Sequence, residues 1–410
     1  MASRESSAKP ALNTVPIRLL TFSTLFPHAG APNHGVFVEN RLSQLIASGA
    51  ASTTVVAPVP YFPFRAPAFG SWARHAHAPR LESRHGLTVH HPRYPVIPRI
   101  GMSLAPSLLF RASLSLVRRL HVTEKFDLID AHYLYPDGVA ATWLGQALNL
   151  PVVITARGSD VTQIRDYARP RRMIQAAITA ADALITVSAA LRDGLIGLGA
   201  PASKVTVLRN GVDTDLFRPG NRTTQRAALG LDGPTLLNVG HLIPRKGHHR
   251  VIAAMTDLPE YRLLIVGEGP ERPRLEAQIA RLGLGGRVRL LGARAHAELP
   301  AIYGAADALV LASSREGWAN VLLEAMACGT PVLASDIPGN PEVVRAPEAG
   351  RLFAPDDDLA IANVARELFA NLPDRTATRA YAERHDWRET TAGQLALFRR
   401  VLAERVNGPT

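Results

Sequence analysis

Short apolar runs rich in β-branched residues recur along the chain, and stretches with helical periodicity separate most of them. A first series of runs lies at 17–22, 53–59, 87–91, 128–130, 152–155, 183–187 and 205–208. A second lies at 235–239, 262–266, 288–291, 308–311, 331–334 and 351–353. Between them, segments such as 36–46, 174–180, 272–282 and 319–327 place apolar residues three and four apart, the spacing of a helix. Continuous apolar strands alternating with helices predict parallel sheets covered on both faces.

The two series part at 217–234, where Pro219-Gly220 and Gly233-Pro234 are strong turn signals. The expected linker lies near Pro219, with a short helix over 223–229 leading onward. The predicted fold class is α/β, with two doubly wound Rossmann-like domains over 1–218 and 219–380. A chain of 410 residues accommodates two such cores without disulfide or metal staples. Ligands of these sheets sit beyond the carboxyl ends of the strands. Two such domains face one another across a cleft, which suits a reaction between two substrates.

Composition narrows the partners. One cysteine, Cys328, allows no intrachain disulfide and fits a reducing cytoplasm. The stretch 1–13 is polar without an apolar stretch, so no secretory signal is expected, and no run of 18 apolar residues suggests a membrane span. The expected location is cytoplasmic, peripherally on the inner face of a membrane. Formal net charge is +11, with four lysines among 46 basic residues. Nucleic acid, anionic membrane and phosphate-rich small molecules all fit that balance. The excess is uneven: 23 basic against 13 acidic residues in 1–218 (+10), and 23 against 22 in 219–410 (+1). With 6% aromatic residues and no helix-turn-helix or RNP-type signal, a nucleic-acid partner is not expected. Segment 97–120, interrupted by Arg99, Pro106 and Arg111, reads as a packed surface helix of a kind that can also lie on a membrane.

The most informative stretch is 313–344, SSREGWANVLLEAMACGTPVLASDIPGNPEVV. Glu316 falls on the loop after a strand, Asn320 in the first turn of a helix, and Glu324 one turn further in, so both carboxylates can meet one ligand. Cys328-Gly329-Thr330-Pro331 carries helix-stop chemistry. The loop at 337–340 precedes an expected helix start at 341–345, whose free N–H groups would form an anion site. This stretch resembles the E-x7-E signature of retaining glycosyltransferases with two Rossmann-like domains, the GT-B fold, and looks most like glycosyltransferase family 4. The resemblance implies that Glu316 contacts the transferred sugar and Glu324 the ribose hydroxyls, with Trp318, Ala319 and Asn320 in the same donor-binding string.

Other segments carry the resemblance over about 17–402. The segment 236–252, LLNVGHLIPRKGHHRVI, matches the family's donor phosphate loop, with Gly240 at the turn and Lys246-Gly247 opening a helix. The family usually has Arg after the glycine. Here His241 stands there, and Arg245 is the other candidate to supply the guanidinium. Gly267 lies in the next family turn, and Arg294 is implied near the base. In the first domain, FDLIDAHYLYPDG at 126–138 places His132 toward the sugar. VVITARGSDV at 152–161 has Arg157 where the family commonly has His. Arg157 either binds an acceptor phosphate or pairs with Asp160. The segment 26–42 resembles the flexible loop that approaches acceptor and donor phosphate, with Asn33, His34 and an anion-binding turn at Gly35. The segment 381–405 resembles the C-terminal helices that cross back to the first domain.

The activity so implied moves a hexose-type sugar, with retention, from a nucleotide-sugar donor to a glycan or polyprenyl-diphosphate-linked acceptor in polysaccharide or cell-envelope glycan synthesis. Lys246, His132 and Glu316 are its implied catalytic residues. An epimerase or glycoside phosphorylase on the same architecture is the alternative, and the EGW…E string with its following PGNPE loop argues against it. No cofactor or metal is expected. Asp356–Asp358 reads as a helix N-cap region, and His75, His77, His85, His90, His91, His248 and His249 lack ligand spacing. No well-placed nucleophile is evident, which favours transfer on one face of the sugar over a double displacement.

Overall fold

The computed structural model describes residues 15–66, 73–96, 101–355, 357 and 359–407. The stretch 1–13, the first four residues of segment 97–120, Asp356 and Asp358 therefore lie outside the described residues. Ten strands precede residue 208: β1 Ile17–Phe22, β2 Ala51–Val56, β3 Val59–Pro60, β4 Leu81–Arg84, β5 Leu87–His90, β6 Arg93–Tyr94, β7 Leu128–His132, β8 Val152–Ala156, β9 Ala183–Thr186 and β10 Val205–Val207. Eight form one sheet in the order β10-β9-β8-β7-β1-β2-β5-β4. It is parallel except at β4, which runs antiparallel to β5. The sequence pattern does not reveal β4, because its residues alternate between exposed and half-buried and leave no apolar run. Six strands follow the linker: β11 Thr235–Val239, β12 Arg262–Val266, β13 Val288–Gly292, β14 Ala308–Leu311, β15 Val332–Ser335 and β16 Gly350–Phe353. Their order, β13-β12-β11-β14-β15-β16, is that of a dinucleotide-type doubly wound sheet, with its reversal between β11 and β14. The linker helix is Arg222–Leu229, capped by Asn221, whose side chain accepts from Thr224 N–H.

β7, β8 and β9 are buried at every position, as are β11, β14 and β15, because helices cover both faces of each sheet. One buried cluster runs from Leu20 and Ile154 in the first domain to Trp318, Leu322 and Tyr381 in the second, so the two sheets share a packed interface. The basic amphipathic segment is one helix, Gly101–Glu124, with Pro106 inside it. Proline leaves the carbonyl four residues back without its N–H donor. The hydroxyl of Tyr135 donates to that carbonyl, Met102 O, instead.

The C-terminal crossing begins slightly later than the sequence implies. Helix Arg375–Glu383 stays on the second domain, where Tyr381 donates its hydroxyl to Val343 O at 2.7 Å. The chain then passes the linker, with Val212 N–H donating to His385 O at 2.9 Å. Helix Trp387–Asn407 packs Leu395, Phe398 and Val401 against Val38 and Leu42 of the first domain. The helix expected at 341–345 is only a single 3-10 turn, Asn340–Glu342. Val343 and Val344 are drawn into the core directly after it, and the Asn340 side chain turns back to donate to Ser335 O. The anion site expected there therefore has no α-helix behind it.

Candidate functional site

A cavity of about 290 Å³ opens between the domains at the carboxyl ends of the second sheet. One wall comes from the first domain: Asn33, Val36, Phe37 and Asn40, at the start of helix Val36–Ala47. Gly35 caps that helix with φ 72°, and a Cβ there would meet the Leu25 carbonyl at 2.3 Å, so only glycine fits. The other wall comes from the loops after β11, β12 and β13 and from helix Asn320–Ala327. It includes Gly240, His241, Gly267, Arg294, His296, Asn320 and Glu324. Gly267 is required by close backbone approach, since its Cβ would lie 1.9 Å from Gly240 O.

Glu324 reaches the cavity from the helix. Its Oε2 accepts from the Tyr303 hydroxyl at 2.8 Å, and its Oε1 lies 3.7 Å from His296 Nε2. The Glu324 carboxylate raises the pKa of His296. Burial, reinforced by the same carboxylate, pushes the Tyr303 phenol well above its ordinary value. Neither Tyr303 nor His296 was singled out from the sequence. Tyr303 reads as a core aromatic of helix Leu299–Ala305, and His296 as a lone loop histidine.

A second group converges on Glu316. Lys246 Nζ lies 2.6 Å from Glu316 Oε1, and Arg245 Nη1 lies 3.6 Å from Oε2. Arg245 also donates to Arg315 O at 2.8 Å. Burial raises the Glu316 carboxyl, but Lys246 and Arg245 outweigh it and leave the group below the usual carboxylate range. Glu316 is therefore ionised beside two cations. His241 points elsewhere: its Nδ1 lies 3.2 Å from Glu268 O, while its carbonyl meets His248 Nε2 at 3.0 Å. Arg294 Nη1 lies 3.7 Å from Glu298 at the rim. Ala319 is buried, and Trp318 is buried with Arg209 at 6.0 Å over its ring.

The first-domain residues are arranged differently from the expectation. Asp160 is fully buried, and its oxygens accept from the backbone N–H of Arg157, Gly158 and Leu134. It holds the turn after β8 and does not pair with the Arg157 guanidinium. Arg157 instead donates through Nη2 to His132 Nδ1 at 2.6 Å and through Nη1 to Asn210 Oδ1 at 3.2 Å, and stacks 5.4 Å over Phe37. Asn210 in turn donates to Asn320 Oδ1 at 3.2 Å, linking the first domain to helix Asn320–Ala327. His132 is 1% exposed, so its ring does not line the cavity. His34 is tied to Thr24 O at 3.1 Å.

The domains touch at the level of this site. A Cβ on Gly317, next to Glu316, would lie 2.1 Å from Arg157 O. Glu342 crosses the interface to accept from Ala189 N–H at 2.9 Å, Ala190 N–H at 3.0 Å and Arg209 Nη2 at 2.7 Å. A carboxylate at the start of helix Ala189–Ile196 satisfies two of its free donors and complements its dipole. Among the described residues, no group of three or more His, Cys, Asp or Glu side chains could hold a metal ion. No helix of the described residues is long and apolar enough to cross a membrane.

Known proteins share this architecture and resemble this chain in sequence. Residues 46–216 match the model described as Glycosyltransferase Family 4, and 221–385 match that described as Glycosyl transferases group 1. A D-inositol 3-phosphate glycosyltransferase of Mycobacterium tuberculosis is 32% identical over 320 residues, covering 72% of this chain and 66% of that protein. The matched region thus spans just under two thirds of that relative. The solved sucrose-phosphate synthase of Thermosynechococcus elongatus superposes with a TM-score of 0.77 at 24% identity, covering 95% of this chain and 100% of its own. Anabaena HepE, solved with UDP and glucose, superposes with a TM-score of 0.72 at 22% identity, over 94% and 100%. Matching models on both halves, one on each Rossmann-like domain, place the chain in the GT-B glycosyltransferases of family 4.

Proposed function

We propose that the chain transfers a hexose-type sugar, with retention, from a nucleotide-sugar donor to a glycan or lipid-linked acceptor. The observation that carries this reading is the paired carboxylates. Glu324, held by Tyr303 and His296, faces the cavity where a nucleoside would sit, and ionised Glu316 stands beside Lys246 and Arg245. A ribose offers hydroxyl donors to the first carboxylate. The diphosphate offers negative charge to the two cations and to the helix start at Gly35.

In this reading the bond between the anomeric carbon and the diphosphate oxygen breaks while the acceptor oxygen attacks on the same face. The departing phosphate oxygen takes the acceptor proton. Lys246 and Arg245 stabilise the charge growing on the leaving group, and Glu316 the positive charge growing on the sugar. Arg245, not His241, is the cation directed at this point, so it supplies the guanidinium the family pattern usually places after the glycine. These cations meet the diphosphate charge without a metal.

The +10 of residues 1–218 favours an anionic acceptor surface in a cytoplasmic enzyme at the inner face of a membrane. Met102 and Leu104 are exposed on the helix that carries Arg111, Arg118 and Arg119. Cell-envelope or polysaccharide synthesis fits such an acceptor.

A thermal-shift screen against UDP, GDP, ADP and their sugars tests donor binding, since a ligand of the native state raises the melting temperature with concentration. UDP comes first because the Anabaena neighbour was solved with it. Full transfer activity in both Glu316→Ala and Glu324→Ala would overturn the assignment. An inverted product anomer would overturn retention. Salt-sensitive co-sedimentation with anionic liposomes is expected, and equal binding to neutral liposomes would refute the membrane surface.

A further inference from the structure

The long C-terminal helix brings Gln394 beneath the first-domain side of the site. Gln394 is 1% exposed. Its Oε1 accepts from Arg41 Nε at 2.9 Å, and its Nε2 donates to Asp130 Oδ2 at 3.2 Å. A guanidinium only donates and a carboxylate only accepts, so the amide can be oriented in one way only. The same Asp130 oxygen lies 3.2 Å from His132 Nε2. On the other side of the ring, Arg157 donates to Nδ1 at 2.6 Å. That nitrogen must therefore carry a lone pair, which leaves the proton on Nε2, facing Asp130.

Arg41 is buried, and Asp130 is the carboxylate whose charge bears on it. A direct Arg41–Asp130 ion pair would be the natural outcome of that neighbourhood, and it would pull Asp130 off the histidine. Gln394 stands between the two and makes one hydrogen bond to each. We propose that Gln394 is a positioning residue, supplied by the C-terminal helix, that keeps Asp130 turned toward the Nε2–H of His132, while Arg157 sets the tautomer from the other side of the ring.

The charged groups that face His132 are Asp130 from its own strand, Arg157 from the turn after β8 and Arg41 from helix Val36–Ala47. Burial lowers the histidine and, although Asp130 opposes, the two guanidiniums lower it further. With Nδ1 taken by Arg157 and Nε2 buried 3.2 Å from Asp130, His132 serves as a fixed neutral dipole and not as a proton shuttle. The proposal rests on the reading that His132 belongs to the sugar side of the site. Full transfer activity in His132→Ala would refute that reading and leave the tautomer measurement standing.

Nitrogen-15 NMR of histidine-labelled full-length protein, with the His132 signals assigned by His132→Asn, makes the test. In the wild type, Nδ1 is expected unprotonated and Nε2 protonated, with no change on titration from pH 7.5 to about 5.5, below the ordinary histidine value. In Gln394→Met, isosteric but unable to bridge, and in Gln394→Glu, unable to donate to Asp130, the Nε2 signal is expected to move as Asp130 turns away from the ring, with Nδ1 still unprotonated. kcat should fall about tenfold with the donor KM unchanged, as when the partner that orients a site histidine is lost. Unchanged signals with kcat within twofold in both variants would overturn the proposal. A wild-type ring protonated on Nδ1, or titrating at the ordinary value, would overturn it whether or not the variants fold.

Discussion

Lys246→Met separates a site role for the Lys246–Glu316 pair from a structural one. The side chains are 16% and 8% exposed, and the pair distance is 2.6 Å. Removing the lysine leaves a buried carboxylate with Arg245, at 3.6 Å, as its remaining cation. Breaking one side of a buried ion pair costs about 3–5 kcal/mol, and the remaining guanidinium brings the expectation to the lower end, about 3 kcal/mol. The Glu316 carboxyl rises in pKa once its nearest cation is gone, because burial then dominates. In the double variant Lys246→Met/Glu316→Gln neither charge is left unpaired, so most of the stability should return. Transfer should not return. If Lys246 meets the leaving diphosphate, losing one such charge-assisted contact costs about 2–4 kcal/mol of transition-state binding, roughly 10²–10³-fold in kcat/KM. Urea midpoints measure the first quantity and steady-state release of nucleoside diphosphate the second. A double variant within about threefold of wild-type kcat/KM would refute the catalytic argument. A single variant as stable as wild type would refute the electrostatic one.

Glu342→Ala should lose about 2–3 kcal/mol at pH 7, since charge-assisted bonds to two helix N–H groups and Arg209 go together. Burial raises the Glu342 carboxyl, but those bonds leave it below its ordinary value, so its contribution is full above the unfolded carboxylate pKa and fades as pH falls through the folded one. The gap between variant and wild-type urea midpoints should therefore shrink below about pH 4. Glu324→Gln should weaken nucleotide affinity about tenfold to a hundredfold by calorimetry and let His296 fall back toward its ordinary pKa by NMR; unchanged affinity would remove Glu324 from the donor site. Gly317→Ala places a methyl 2.1 Å from Arg157 O and should cut kcat/KM at least about tenfold by parting the domains at the site. Wild-type kinetics for that variant would show that the close approach is not needed.

Much of the second-domain side of the candidate site was legible in the chain because its signals are local. Glu316, Asn320 and Glu324 lie within nine residues, and a strand, a loop and one helical turn suffice to direct them to one edge. Gly267 lies in a turn of the family pattern, but the contact that demands glycine there, and at Gly317, comes from a distant carbonyl. Tyr303 gave no local sign of its role, since a buried aromatic on a short helix looks the same whether or not its hydroxyl meets Glu324. Of the two roles left open for Arg157, the pairing with Asp160 is absent for a physical reason. Three backbone N–H groups saturate the buried Asp160 carboxylate and leave the guanidinium to the histidine opposite.

Apolar period and turn chemistry act over a few residues, so the two mainly parallel sheets, the break near Pro219 and the sequence of second-domain strands and loops were readable from the chain. What each charge faces follows from the folding of distant segments onto one another. Arg245 reaches Glu316 across 71 positions, and Gln394 reaches Asp130 across 264. Such pairings depend on how the crossing helix and the two sheets pack, and packing distance is a property of the folded chain that no local spacing encodes.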